Sequence, residues 1–330
     1  MADLDSLELL LAGVRGGQPR AVGRAVTLIE NSAVELPTVM KELAPAAGRA
    51  MVVGITGAPG VGKSTTITAL VSALRRDDCR VGVLAVDPSS PFSGGALLGD
   101  RVRMQQHALD GEVLIRSMAT RGHLGGLAVA APSALRVFDA AGCDVVIVET
   151  VGVGQSEVEI AGVADCSVVL LAPGAGDGIQ AAKAGILEIG DVFVVNKSDR
   201  EGAHAVIREL RTMISLGERE PGDWKPPVLS LVAITELGIP ALLQALEDFR
   251  SLGESSGRWQ QRRLAQARRQ VESLLVAKLR QQYTVERGSQ IERLAHAVRD
   301  GQLDVFSAAE QLLAASETDK PKNWGRRGGS

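Results

Sequence analysis

The chain has 330 residues, a hydrophobic fraction of 45% and a formal net charge of −3. That length leaves room for a substantial core or two domains, and a charge so near zero offers no global basic field to hold nucleic acid. No run of about 18 apolar residues could span a bilayer and no signal-peptide pattern is visible, so the expectation is a soluble, cytoplasmic protein with neither membrane nor nucleic acid as partner.

Residues 1–48 read as helical. Leu7, Leu10 and Leu11 share one face before Gly16-Gly17 interrupts it. Val22, Ala25, Val26 and Ile29 repeat the spacing, as do Leu36, Val39, Met40 and Leu43. These stripes need a surface to cover, and the domain that follows would supply it.

Met51-Val52-Val53-Gly54-Ile55-Thr56 reads as a buried strand. It leads into Gly57-Ala58-Pro59-Gly60-Val61-Gly62-Lys63-Ser64, which matches the phosphate-binding pattern G-x-x-x-x-G-K-[ST]. A helical pattern over residues 65–74 follows, so the motif sits between strand and helix, where its chemistry works. The glycines let backbone N–H groups turn inward around phosphates, and the helix N-terminus adds its dipole. Lys63 reaches the β- and γ-phosphates, and the Ser64 hydroxyl can ligate Mg²⁺.

From 49 to 250, strands alternate with helical patterns. Arg80–Val86, Glu112–Ser117, Asp144–Thr150, Cys166–Leu171, Val192–Asn196 and Val228–Leu231 are the expected strands. Such alternation predicts an α/β fold with a mainly parallel sheet and helices on both faces, whose ligands bind at the carboxyl ends of the strands. Asp87 and Glu149 stand at two such ends, and Asp100 and Arg101 open the next helical stretch. A carboxylate there, near the phosphate loop, is what Mg²⁺ binding needs. Gly152, in Thr150-Val151-Gly152-Val153-Gly154-Gln155, can bring a backbone N–H close to a γ-phosphate.

Asn196-Lys197-Ser198-Asp199, directly after an apolar strand, matches the N-K-x-D element that reads guanine. An aspartate carboxylate accepts from both N1–H and the exocyclic amine of guanine. Adenine has no donor at either place, so the wrong base leaves the carboxylate unpaired. GTP is therefore the expected nucleotide. Lys197 would lie along the base, and Asn196 would tie loops together. The three cysteines, Cys79, Cys143 and Cys166, show no metal or disulfide spacing and read as small reduced core residues.

Residues 251–330 change character. Ser251–Gly257 reads as a polar linker. Arg258–Gln282 is a charged amphipathic helix with Leu264, Ala267, Val271, Leu274, Leu275 and Leu279 on one stripe. Ile291–Val298 and Val305–Ala315 continue helically, and Ser316–Ser330 reads as a disordered tail. The expected domains are thus 1–48, 49–250 and 251–330.

The stretches VDPSSPFSGGALLG (86–99), MATRGHLGGL (118–127), ETVGVGQSE (149–157) and residues 173–199 resemble one branch of the SIMIBI-type P-loop GTPases. That branch is the MeaB/ArgK-like family, the GTPase chaperones of adenosylcobalamin-dependent methylmalonyl-CoA mutase. The resemblance covers nearly the whole chain. It implies that Gly57 to Thr65 bind the phosphates (Gly57, Ala58, Pro59, Gly60, Val61, Gly62, Lys63, Ser64 and Thr65). It implies that Ser64, Asp87, Asp100 and Glu149 surround Mg²⁺, and that Asn196, Lys197 and Asp199 read guanine. Most P-loop GTPases carry Asp where Glu149 stands, a departure here.

The resemblance also implies switch segments at 87–101 and 152–157, and a third at Gly174–Lys183, with Asp177, Gln180 and Lys183, that reports nucleotide state to the mutase. Val232-Ala233-Ile234 falls where the family's last guanine-contacting loop lies. It lacks the usual Ser-Ala, so contact there would be mainly backbone. The C-terminal helices would make a homodimer, and the adenosyltransferase that supplies the mutase is a further implied partner.

Hydrolysis would draw its charge from Lys63 and Mg²⁺, with Glu149 in the metal shell and Gln155 as candidate to position water. Arg101 and Arg121 are candidate arginine fingers. Among four scattered histidines only His123 lies in a glycine-rich, loop-like context. The absence of a His-rich tract or C-x-C pair argues against a nickel-insertion GTPase. The rival readings are a transport-linked ATPase or kinase, and a nucleotide-gated scaffold with little hydrolysis.

Overall fold

The computed structural model describes residues 2–31, 33–88, 105–107, 109–120, 127–150, 161–174, 187–217, 220 and 222–318. Three helices open the chain: α1 (Ala2–Arg15), α2 (Pro19–Glu30) and α3 (Leu36–Leu43). Seven strands follow: β1 (Met51–Thr56), β2 (Val81–Pro88), β3 (Val113–Thr120), β4 (Val145–Thr150), β5 (Cys166–Leu171), β6 (Val192–Val195) and β7 (Val228–Ser230). Each expected strand forms, with ends shifted by a few residues at most. The longer helices among them are α4 (Lys63–Arg76), α5 (Leu127–Ala140), α6 (Ala203–Leu216) and α7 (Ile239–Ser255).

The sheet order is β3-β2-β4-β1-β5-β6-β7, and each neighbouring pair is parallel. β1 is central because the chain leaves it toward β2 and β3, returns at β4, and then crosses to β5. That reversal creates a switch point at the carboxyl end of β1. The strands are apolar on both faces because helices cover both. Met51, Val53 and Ile55 pack with Ile67, Leu70 and Leu74 of α4 and Leu242 and Leu246 of α7. On the opposite face, Leu84, Val86, Val146 and Val148 pack with Phe138 of α5. The N-terminal helices join that same cluster through Leu11, Val14, Val22, Val26, Ile29, Val39 and Leu43. Cys143 and Cys166 are buried and unbridged, and burial pushes the Cys143 thiol up to about 12, so it stays neutral.

The chain divides into two compact units, 1–273 and 274–330. Helical residues Arg258–Arg299 (α8) run across that boundary and are interrupted at Arg287, where φ is −128°. α9 covers Val305–Thr318. The stretch expected as a linker, 251–257, is instead mostly the last turns of α7. A Cβ on Gly253 would stand 3.3 Å from the Trp259 ring, so that glycine answers to packing inside a helix. α9 also extends past Ser316, where the tail was expected to begin; residues 319–330 lie outside those described.

The first turns of α8 are held by buried charge. Arg263 donates to both Asp165 oxygens at 2.9 and 2.8 Å, and also to the carbonyls of Gly48 and Ala50. Asp165 is 3% exposed and also accepts from the Val52 N–H at 2.9 Å. Arg262 makes the equivalent bidentate pair with Asp191 at 3.0 and 2.8 Å. Removing one partner of such a pair strands the other charge. Asp165→Ala is therefore expected to cost about 3–5 kcal/mol of stability. Urea unfolding should show a lower midpoint at unchanged slope; a midpoint equal to wild type would contradict this.

Candidate functional site

The site grows from the carboxyl end of β1. Gly57 has φ +143°, and a Cβ there would fall 2.2 Å from the Leu170 carbonyl oxygen, which is backbone and cannot yield. Gly62, at φ +98°, turns the loop into α4. The loop is closed on itself by Lys63, whose Nζ donates to the Gly57 carbonyl at 2.7 Å and reaches the Ala58 carbonyl at 3.3 Å. The lysine is 9% exposed, so its charge is presented inside the loop.

Ser64, in the first turn of α4, donates to Glu149 Oε1 at 3.2 Å. Glu149 lies on β4, in register with Ile55, and is 4% exposed. A hydroxyl and a buried carboxylate are hard oxygen donors, a set that suits Mg²⁺. Asp87 is the penultimate residue of β2, beside Ala119, although its side chain is not among those described. Asp100, Gly152 and Gln155 lie outside the described residues, as do Arg101, Arg121, His123, Asp177, Gln180 and Lys183. No cluster of three or more potential metal ligands of the His, Cys, Asp or Glu type occurs among the described residues.

Asn196 joins the two halves of the site. Its Nδ2 donates to the Val61 carbonyl at 2.8 Å, and its Oδ1 accepts from the Ala233 N–H at 3.1 Å. The residue is 3% exposed, so both bonds form away from water. Lys197 takes a left-handed backbone, φ +56°, and its Nζ donates to the Gly60 carbonyl at 2.6 Å. Asp199 is exposed at the head of this loop. Val232 leads into a short 3-10 turn, Ala233–Thr235, which leaves Ile234 86% exposed. The structure therefore brings the phosphate loop, Glu149, the 196–199 loop and the 232–234 loop to one end of the sheet.

A sequence profile described as "Methylmalonyl Co-A mutase-associated GTPase MeaB" matches residues 22–287. The chain belongs to the MeaB family. A Pyrococcus abyssi protein that carries a GTPase name is 43% identical to this MeaB-family chain, over 93% of it and 96% of the relative. GTPase ArgK of Escherichia coli is 38% identical over 77% of this chain and 79% of its own. A mouse protein named methylmalonic aciduria type A homolog, mitochondrial, is 32% identical over 94% of this chain and 79% of the relative. Among solved structures, a LAO/AO transport system kinase aligns over 95% of this chain and 98% of its own, at TM-score 0.71 and 26% identity. This MeaB-family protein is a P-loop enzyme that hydrolyses GTP to GDP and phosphate.

One placement outside this cluster carries no sequence signal. His107 is one of the scattered histidines, yet it is buried against α4. Only a fold that lays the 105–107 turn and Asp110 on that helix reveals it.

Proposed function

We propose that this chain is a GTPase chaperone for an adenosylcobalamin-dependent mutase of the methylmalonyl-CoA mutase type. GTP state gates delivery of the cofactor to the mutase and protects it. The observation that carries the reading is the Asn196 bridge, in a chain of this family. One side chain bonds the phosphate loop and the 232–234 loop, which in this reading faces the base, so occupancy of one half bears on the other. The family description and the name of the mouse relative support the client.

In this reading Lys63 and the loop N–H groups hold the phosphates, and Asp199 reads guanine. Ser64 and Glu149 hold Mg²⁺, joined by Asp87 and Asp100. When bound, the ion neutralises charge on the β- and γ-phosphates. Gly152 contacts the γ-phosphate and Gln155 orients the attacking water. The protein works in the cytoplasm, and no described helix is long and apolar enough to cross a membrane. It acts as a homodimer, with the mutase and its adenosyltransferase as partners. Leu264 and Val271 are exposed in the first unit; within the second, Leu275 and Phe306 are exposed, and apolar side chains left in water are what a second copy could cover.

The reading as a transport-linked kinase rests on the name of the 26%-identical structure. The N-K-x-D element, which selects guanine, weighs against it.

Steady-state GTP hydrolysis with saturating mutase tests the proposal. Mutase is expected to raise the rate. The double variant Gln180→Ala/Lys183→Ala should lose most of that increment and keep its intrinsic rate within about twofold, because the coupling and the chemistry use different residues. Full stimulation in the double variant would place the coupling elsewhere, and no stimulation of wild type would remove the mutase as client.

A further inference from the structure

The amino ends of β1 and β4 lie side by side, paired from Met51 and Val145. A cleft of about 500 Å³ opens at this end of the sheet. Its lining includes Arg15 at the end of α1, Arg49 just before β1, and Arg250 of α7. Asp139 of α5, and Cys143 and Asp144 just before β4, complete the polar part of the wall. The phosphate loop leaves the opposite, carboxyl end of β1, and a strand of six residues is about 20 Å long. The cleft is therefore separate from the nucleotide site, and its volume is that of a small-molecule pocket.

Three guanidinium groups from separate elements share this wall, and like charges repel unless a counter-charge sits among them. The two aspartates are turned to backbone. Asp139 accepts from the Gly48 N–H, from the Arg49 N–H at 3.1 Å and from the Ala50 N–H at 3.0 Å. Asp144 accepts from the Arg80 N–H at 2.7 Å. Neither is ion-paired with a lining arginine among the described residues. A guanidinium has five N–H donors, and most of those here are unspent. Arg250 donates through Nε to Glu254 at 2.9 Å, and Arg15 donates once, to the Glu42 carbonyl at 2.7 Å. The Arg49 side chain has no partner among the described residues.

A helix ends at this cleft too, and the carbonyls of a helix end ordinarily repel an anion. At the end of α5 those groups are spent. The Phe138 carbonyl accepts from the Ala141 and Cys143 N–H groups at 3.1 and 3.2 Å, and the Asp139 carbonyl accepts from the Gly142 N–H at 2.9 Å. The Ala141 carbonyl accepts from the Arg80 side chain at 2.9 Å. Cys143 is 3% exposed and its thiol is neutral, so it adds no negative charge. What faces the cleft is thus an excess of unspent cationic donors.

We propose that this cleft is a second ligand site, which takes a small organic molecule carrying a phosphate group on Arg15, Arg49 and Arg250. One guanidinium fork fills a carboxylate. A phosphate offers acceptor oxygens in several directions and suits guanidinium groups that arrive from different elements. A cleft of this size holds a drug-sized molecule, so an organic body accompanies the phosphate. The inference stands apart from the reading of the mutase as client.

The test is calorimetric titration of adenosine 5′-monophosphate into the full chain, first saturated with GDP and Mg²⁺ so that the phosphate loop is filled. Salt is held at about 0.15 M to screen loose surface attraction. The monophosphate should bind, and adenosine should not. Arg49→Ala/Arg250→Ala should weaken that binding roughly tenfold or more, since hydrogen bonds to charged groups are lost. GTP hydrolysis, GDP affinity and the thermal midpoint should stay near wild type, because neither side chain reaches the nucleotide end. Arg208→Ala/Arg269→Ala removes the same charge from exposed positions elsewhere in the first unit, and should leave the binding within about twofold. No binding of the monophosphate to the GDP-loaded protein at millimolar concentration would overturn the site. So would equal binding of adenosine, unchanged binding in Arg49→Ala/Arg250→Ala, or an equal loss in the control pair. Inorganic phosphate should compete weakly; competition as strong as that of the monophosphate would overturn the organic body.

Discussion

Lys63→Ala should abolish most GTP hydrolysis, with a loss on the order of 10²–10³, comparable to deleting one preorganised donor to a developing negative charge. The ammonium is already inside the loop, 2.7 Å from the Gly57 carbonyl and largely out of water. A phosphate entering the loop exchanges those carbonyls for its own oxygens, and the lysine charge needs no long reach to follow. In a water-poor site that charge acts at low effective dielectric, which makes it worth more than on a surface. Lys63→Arg should not rescue, because a planar guanidinium is longer and does not fit a loop shaped around a point charge. Single-turnover hydrolysis at saturating GTP measures the effect, with circular dichroism showing that α4 persists. A variant hydrolysing within a few-fold of wild type would remove Lys63 from the chemistry.

Asp199→Ala should abolish the preference for guanine. Two N–H groups of the base lose one charged acceptor, and hydrogen bonds to a charged group are worth about 1.5–3 kcal/mol each. GDP should bind roughly a hundredfold or more weakly, while ADP should change little, since adenine offers that carboxylate no donor. The scaffold should survive. Asp199 is exposed, and the loop is held by other groups: Asn196 to Val61 and Ala233, Lys197 to Gly60, and the Ser198 N–H to the Leu231 carbonyl at 3.0 Å. Calorimetric titration of GDP and ADP into both proteins decides it. GDP binding as tight as wild type would show that the base is read elsewhere.

The two variants probe two different loops, and Asn196, three residues before Asp199, bonds the phosphate loop at Val61. Asn196 is buried and uses both ends of its amide, so alanine there would leave the Ala233 N–H and the Val61 carbonyl without their partner. Its effect would mix stability with affinity. The outward-facing Asp199 and the loop-lining Lys63 are cleaner probes for that reason.

Much of the fold was legible locally. The seven strands are short apolar, β-branched runs bounded by glycine and polar residues, and a buried parallel strand needs little else. The phosphate loop was legible for a different reason. Its glycines are demanded by backbone geometry at Gly57 and Gly62, so chemistry and conformation impose the same residues. The polar end of α7 was misread because an exposed helical turn and a linker share a composition. The Trp259 ring, at the start of the next helix, packs beside Gly253, and that contact leaves no mark on local periodicity.

By itself the sequence determined most of the secondary elements, the presence of a phosphate-loop motif and an N-K-x-D tetrapeptide, and the class of fold that alternating strands and helices must build. Those properties depend on residues near one another in the chain, where periodicity, steric demand and motif spacing act directly. The tertiary structure alone decided the strand order β3-β2-β4-β1-β5-β6-β7, and with it the meeting of Ser64 with Glu149 and of Val61 with Asn196. It also decided the seating of α8 on Asp165 and Asp191, and the burial of His107 against α4. Each of these joins groups far apart in the chain. Such contacts form only when the whole sheet closes, because burial away from water is what makes an unpaired carboxylate, amide or imidazole costly enough to require its partner.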